Sequence, residues 1–122
     1  MSNIRTALNE GSQFLKENLI NTYQLDSEIL LGKVLNKNRE YLFLNNSEGI
    51  NNNVLKEFQF LLNRRKNKEP IAYITNRKEF WKSSFYVDKN VLIPRPDTEI
   101  LIEEIMKIYN EDQRLSVLDI GT

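Results

Sequence analysis

The 122-residue sequence predicts a mainly α fold: an N-terminal helical bundle, a β-hairpin linker, then one further helix and one strand candidate. Three observations carry this reading. Apolar residues recur at helical spacing through the first two-thirds of the chain. Residues 78–93 switch to short aromatic-rich runs punctuated by turn formers. A proline-flanked octapeptide, Leu92-Ile93-Pro94-Arg95-Pro96-Asp97-Thr98-Glu99, then opens a second amphipathic stretch that is followed by the apolar run Val117–Ile120.

The first helix is expected from Ile4, Leu8, Leu15 and Leu19, with Phe14 beside them. Gly11 within that stretch costs about 1 kcal/mol against Ala, which weakens the case for one unbroken helix. Asp26 has the chemistry of an N-cap for a second helix burying Ile29, Leu30, Val34 and Leu35. Arg39 to Leu44 suits a short helix, followed by a polar loop from Asn45 to Asn53 in which Gly49 and the asparagines favour turns. One of Asn51, Asn52 or Asn53 caps a fourth helix carrying Leu55, Phe58, Leu61 and Leu62. These stripes are the core of a small helical bundle.

The cluster Arg64-Arg65-Lys66 with Lys68 sits where the fourth helix ends. Cations there are favourable by roughly 0.3–1 kcal/mol each, so end-capping accounts for them; a small basic patch for an acidic partner or RNA is the alternative. From Glu69-Pro70 the pattern changes, and Ile71, Tyr73 and Ile74 begin a compact turn or short helix. Glu79–Trp81 pairing with Phe85–Val87, and then Asn90–Ile93, are strand candidates, with Asp88-Lys89-Asn90 as turn chemistry between them. Phe80, Trp81 and Phe85 read as hinge packing rather than a base-stacking surface. Stacking platforms also need a basic groove, and only Lys78 and Lys82 are near.

Composition narrows the function classes. Lys+Arg and Asp+Glu are equal at 17 each, so no global field draws in nucleic acid or an anionic membrane. Cys and His are both 0, which removes disulfides, thiolate nucleophiles, zinc clusters and imidazole bases, and no metal site is expected. No apolar run approaches the roughly 20 residues that span a bilayer, and the N-terminus lacks a signal pattern; cytoplasmic location is the expectation.

In the octapeptide each proline fixes its own φ and pushes the preceding residue toward extended geometry, so Arg95 is presented on a stiff stalk. Pro96 suits a first helical position, and Asp97, Thr98 and Glu99 crowd the electropositive helix end. The helix that follows is expected to bury Leu101, Ile102, Ile105, Ile108 and Tyr109, with Glu103 and Lys107 paired outside. Taken alone, this is also a plain proline-stiffened connection.

The order and spacing of several segments add a resemblance. Glu69-Pro70-Ile71-Ala72-Tyr73-Ile74, Lys78-Glu79-Phe80-Trp81, Phe85-Tyr86-Val87, the octapeptide and Val117-Leu118-Asp119-Ile120-Gly121-Thr122 together resemble the protein-(glutamine-N5) methyltransferases that modify peptide chain release factors, the HemK/PrmC family. Asp26-Ser27-Glu28-Ile29-Leu30-Leu31 followed by Val34-Leu35 is similar to that family's second helix. The sequence departs from the pattern at Asn76 and Lys68, where glycine is usual. Asn tolerates a left-handed turn better than other non-glycine residues.

The resemblance implies three parts: residues 1–68 as a helical substrate-docking domain, 69–96 as turn and hairpin linker, and 97–122 as the incomplete start of a Rossmann-like, S-adenosyl-L-methionine-dependent domain. It implies that the sequence is the N-terminal part of a longer enzyme. The family's Asn-Pro-Pro-Tyr motif is not encoded in these residues, so no catalytic residue is assigned and these residues alone are expected to be inactive. By position Gly121 and Thr122 open the cofactor loop, Asp119 supports it, and Arg95 and Glu99 line the cleft. A release factor is the implied partner, with no membrane and no direct nucleic-acid contact. Two other readings remain: a nucleic-acid amino-methyltransferase of the same superfamily, and a non-enzymatic helical interaction module.

Overall fold

A computed structural model describes residues 2–110 and 113–120. Among them the chain forms α1 (Ile4–Glu17), α2 (Tyr23–Leu35), α3 (Arg39–Leu44), α4 (Asn52–Lys66), α5 (Ile71–Thr75), the hairpin β1 (Lys78–Phe80) and β2 (Ser83–Phe85), and α6 (Pro96–Ile108). Helices α1, α2 and α4 pack on one another, with α3 against α2 and α5 against α4 and α2. The core consists of Ile4, Ala7, Leu15, Ile20, Leu30, Leu31, Leu42, Ile50, Phe58, Leu61, Leu62 and Ile74.

The start of α1 is satisfied from two sides. The Asn3 side chain accepts from the Thr6 N–H at 2.8 Å, while the Ile4 and Arg5 N–H groups donate to the carbonyls of Glu48 and Asn46. Helix-start donors with no partner inside the helix are thus answered by the 46–48 loop. Asn38 and Asn51 cap α3 and α4 in the same way, through Tyr41 N–H and Val54 N–H at 2.9 Å.

Helix α1 runs unbroken through Gly11, against the expectation from propensity. The reason is packing. A Cβ at Gly11 would stand 2.6 Å from Ser27 Oγ and 2.7 Å from Phe58 Cζ, so the glycine lets α1 approach α2 and α4 closely. Ser27 in turn donates to the Leu8 carbonyl at 3.0 Å. At its other end α1 stops at Glu17, before Leu19. Leu19 adopts φ 63 and is 82% exposed, so it belongs to the turn and not to the apolar stripe. The Ile20 N–H reaches back to the Leu15 carbonyl and closes the helix.

Asp26 does not cap α2. The helix begins at Tyr23, and Asp26 lies in its first turn, buried. Its carboxylate accepts from Thr22 Oγ1 at 2.7 Å and from Arg65 Nε at 2.9 Å. The buried face of α2 is Asp26, Ser27, Glu28, Leu30, Leu31 and Gly32, while Ile29, Val34 and Leu35 are half-buried.

The hairpin is shorter and tighter than the sequence suggests. Phe80 pairs with Ser83 across a two-residue turn, Trp81-Lys82. Phe80 and Phe85 lie diagonally on one face, their rings edge to face at 6.3 Å. Val87 leaves the ladder and is buried, held to Asn76 by its N–H at 3.4 Å and its carbonyl at 3.1 Å. Asn76 has φ 58, so the left-handed turn survives without glycine. Asn90–Ile93 forms no strand: the Asp88–Asn90 turn is present, and the Val91 carbonyl accepts from Tyr73 OH at 2.6 Å.

Two expectations for the C-terminal part fail for one physical reason. Helix α6 forms, but none of its residues is buried; Leu101, Ile105, Ile108 and Tyr109 are exposed and Ile102 half-buried. Val117–Ile120 forms no strand, with Val117 82% exposed. Burial requires a covering layer and ladder pairing an adjacent strand, and among the described residues a larger sheet that would supply both is not present. On the surface of α6 Lys107 pairs with Glu104 at 3.1 Å rather than with Glu103.

The packing at Gly11 fixes the sign of one substitution. Gly11→Ala gains about 1 kcal/mol of helix propensity but overpacks a hydrogen-bonded Ser27 and a buried Phe58, at about 1–3 kcal/mol. A lowered urea midpoint is expected; a raised one would contradict the close approach.

Candidate functional site

The octapeptide delivers the geometry that its prolines dictate. Pro96 is the first residue of α6 and Arg95 its N-cap, in extended backbone at φ −98 and ψ 145. Asp97 and Glu99 lie in the first turn, where the helix dipole favours them. The Arg95 side chain is exposed and, among the described residues, forms no ion pair with Glu99.

Glu99 faces the hairpin instead. Its Oε1 accepts the backbone N–H of Trp81 at 2.6 Å, joining two residues eighteen apart in sequence. Trp81 stands at φ 57 in the hairpin turn, with Lys82 Nζ 5.7 Å from its ring centroid. Lys78, Glu79, Phe80, Trp81, Pro94, Pro96 and Glu99 line a cleft of about 300 Å³ between hairpin and helix. The structure therefore brings Glu99 to a cleft wall and leaves Arg95 at its rim, on the residue between two lining prolines. Asp119 lies exposed in the 113–120 segment; Gly121 and Thr122 fall outside the described residues. The contact of Trp81 with Glu99 had no local signal, since nothing in either segment announces its partner.

The basic corner after α4 is engaged within the molecule. Arg64 meets Glu69 through two hydrogen bonds, Nε at 2.7 Å and Nη2 at 2.6 Å. Arg65 bonds Asp26 through Nε and the Glu69 carbonyl through Nη1 at 3.0 Å. Lys68, at φ 70, reaches the carbonyls of Asn18 and Leu19 at 3.2 and 3.3 Å. Lys66 lies over the Phe14 ring at 5.9 Å. Each cation has a partner within the molecule, and these partners, not the α4 end that the sequence pointed to, are what the structure shows engaging the cluster. The hydrogen bonds from Arg64 hold the Glu69 carboxyl below its ordinary value; partial desolvation opposes this and the Arg64 charge adds to it. The same contact raises Arg64. No helix among the described residues is long and apolar enough to cross a membrane.

A capped helical bundle, carrying a hairpin and a proline-opened helix around a small cleft, is the frame in which known proteins can be compared. The chain belongs to the PrmC N-terminal domain family, which matches residues 6–75. A protein named release factor glutamine methyltransferase from Clostridium acetobutylicum is 43% identical over 119 residues, covering 98% of this chain and 42% of that protein. The protein of the same name from Coxiella burnetii is 41% identical over 122 residues, covering 100% of this chain and 44% of that one. A bifunctional methyltransferase from Rickettsia conorii is 40% identical over 109 residues, 89% of this chain and 21% of its own length. The chain thus spans less than half the length of these curated relatives.

The Arg64–Glu69 pair gives the corner a pH signature. Because the folded Glu69 titrates below its ordinary value of 4.5, its stabilisation is complete above that value and is lost as pH falls through the folded one. Glu69→Gln is expected to lower the melting temperature at pH 7, with the gap to the unsubstituted chain closing below about pH 4. A gap that stays constant between about pH 7 and pH 3 would show that the carboxylate form is not what holds the corner.

Proposed function

We propose that this chain is the N-terminal part of a protein-(glutamine-N5) methyltransferase that modifies peptide chain release factors with S-adenosyl-L-methionine. The observation that carries this is the match, at 43% and 41% identity and over 98% and 100% of the chain, to proteins named for that activity. Residues 1–68 contribute to release-factor docking, 69–96 link, and 97–122 begin the cofactor domain. The exposed apolar face of α6 and the exposed apolar residues at 117, 118 and 120 support the last assignment, because both suit a helix and strand that lie against a larger sheet.

The chemistry sets what such an enzyme must do. A glutamine amide nitrogen is a poor nucleophile because its lone pair is delocalised into the carbonyl. The bond from sulfur to the methyl carbon breaks as the bond from nitrogen to carbon forms, and an amide proton leaves to solvent. The protein must hold the NH₂ group by hydrogen bonds, in line with the sulfonium methyl. The bound cofactor supplies that electrophilic methyl. Asp119, Gly121 and Thr122 have compatible chemistry for holding it: a carboxylate followed by a glycine that leaves the backbone open to close approach. Glu99, on the cleft wall, and Arg95, at its rim, are the groups of this segment that would face substrate. Equal numbers of acidic and basic residues, and a basic corner occupied by internal partners, favour a protein substrate over the amino-methylation of nucleic acid.

The test is transfer of a labelled methyl group to unmodified release factor. The full-length protein containing this chain is expected to label the release-factor glutamine, and residues 1–122 alone to match the enzyme-free blank. Labelling of nucleic acid in place of the release factor would overturn the reading. In the full-length protein Arg95→Ala is expected to slow methylation at least about tenfold, or ~1.4 kcal/mol of transition-state stabilisation. Its melting temperature should move little, since exposed substitutions usually cost under about 0.5 kcal/mol. Equal loss of stability and activity would make Arg95 a structural residue.

A further inference from the structure

The hairpin turn carries backbone strain that its own sequence does not explain. Two-residue hairpin turns reach positive φ with Gly, Asn or Asp, yet Trp81 stands there at φ 57. Such a conformation persists where the surroundings over-determine it. The over-determining contact comes from Glu99, whose Oε1 takes the Trp81 N–H at 2.6 Å. An ionised acceptor makes this bond stronger than its neutral counterpart, and the N-terminus of α6 favours the charge. One carboxylate thus serves the helix end and the strained turn together. The cleft it closes is walled by Trp81 and Phe80 from the hairpin and by Pro94 and Pro96 from the connection to α6. The prolines are rigid by chemistry; the indole is not, because it sits on a turn of the wrong residue type.

We propose that Glu99 is a positioning residue: by pinning the main chain of Trp81 it holds the indole as a fixed wall of the cleft between hairpin and α6. The clamp is a property of this chain, whereas its consequence for turnover rests on the methyltransferase reading.

Trp81 is the single tryptophan, so intrinsic fluorescence reports on the clamp directly. In the 122-residue chain Glu99→Ala is expected to raise acrylamide quenching at least about twofold and to speed exchange of the Trp81 amide at least about tenfold, with far-UV circular dichroism unchanged. Glu99→Gln keeps an acceptor oxygen at the same reach and is expected to restore most of the protection. Unchanged quenching and exchange in Glu99→Ala would overturn the clamp. So would a Gln variant that behaves like Ala, because helix-end charge would then be the whole role of Glu99.

In the full-length methyltransferase the positioning role predicts that Glu99→Ala lowers kcat on release factor at least about tenfold, with the cofactor KM within about twofold, and that Gln recovers it. Turnover unchanged while the clamp is lost would overturn the positioning role and leave the methyltransferase reading standing. Absence of any release-factor methylation by the unsubstituted protein would overturn that reading and, with it, the consequence of the clamp for turnover. Fluorescence decides the clamp by itself.

Discussion

The Asp26 carboxylate is 4% exposed, and everything built on the end of α4 depends on its being answered by Arg65. A charge so far from water is tolerated only when it is paired and hydrogen-bonded. Thr22 and Arg65 both converge on its Oδ2, at 2.7 and 2.9 Å. The pair does more than neutralise a charge. Arg65 sits at the last turn of α4, and its second contact, to the Glu69 carbonyl, fixes the main chain as it leaves that helix. Arg64 holds the Glu69 side chain, and Lys68 completes the corner through the α1 end carbonyls.

From that corner the rest of the chain is positioned by a short series of ties. Glu69 leads through Pro70 into α5, whose Ile74 enters the bundle core. Asn76 turns the chain and holds Val87, and Tyr73 holds the Val91 carbonyl. The hairpin between these points is therefore anchored at its base, while its tip is held by Glu99 of α6. Lys68, Asn76 and Trp81 all take positive φ without being glycine. The side chain of each of the first two, and the main chain of the third, has a specific partner, which is what makes the unfavourable backbone tolerable.

Local chemistry in the sequence was enough for several elements. Arg39–Leu44 was expected as a short helix before a polar loop, and Asn51 was among three candidate caps for α4. Pro96 at the head of α6 follows from proline's fixed φ. The failures have a common cause in distance along the chain. Asp26 looks like a cap because its real partner lies 39 residues away. Gly11 looks like a helix breaker because Ser27 and Phe58 are invisible to propensity. The stripe on α6 reports amphipathicity correctly, but periodicity cannot say whether the covering layer is at hand. For the candidate site, the hold of Glu99 on Trp81 was not legible, since a main-chain donor carries no sequence label.

The claim on which this account rests is that Asp26 and Arg65 stabilise the fold as a coupled unit. A double-mutant cycle measures that directly: urea unfolding of Asp26→Ala, Arg65→Met, the double variant and the unsubstituted chain. The account predicts a favourable coupling energy of about 2 kcal/mol, each single substitution being costly because it strands the other group and the second adding little. Additive effects, with a coupling below about 0.5 kcal/mol, would contradict it and leave the corner held by packing alone.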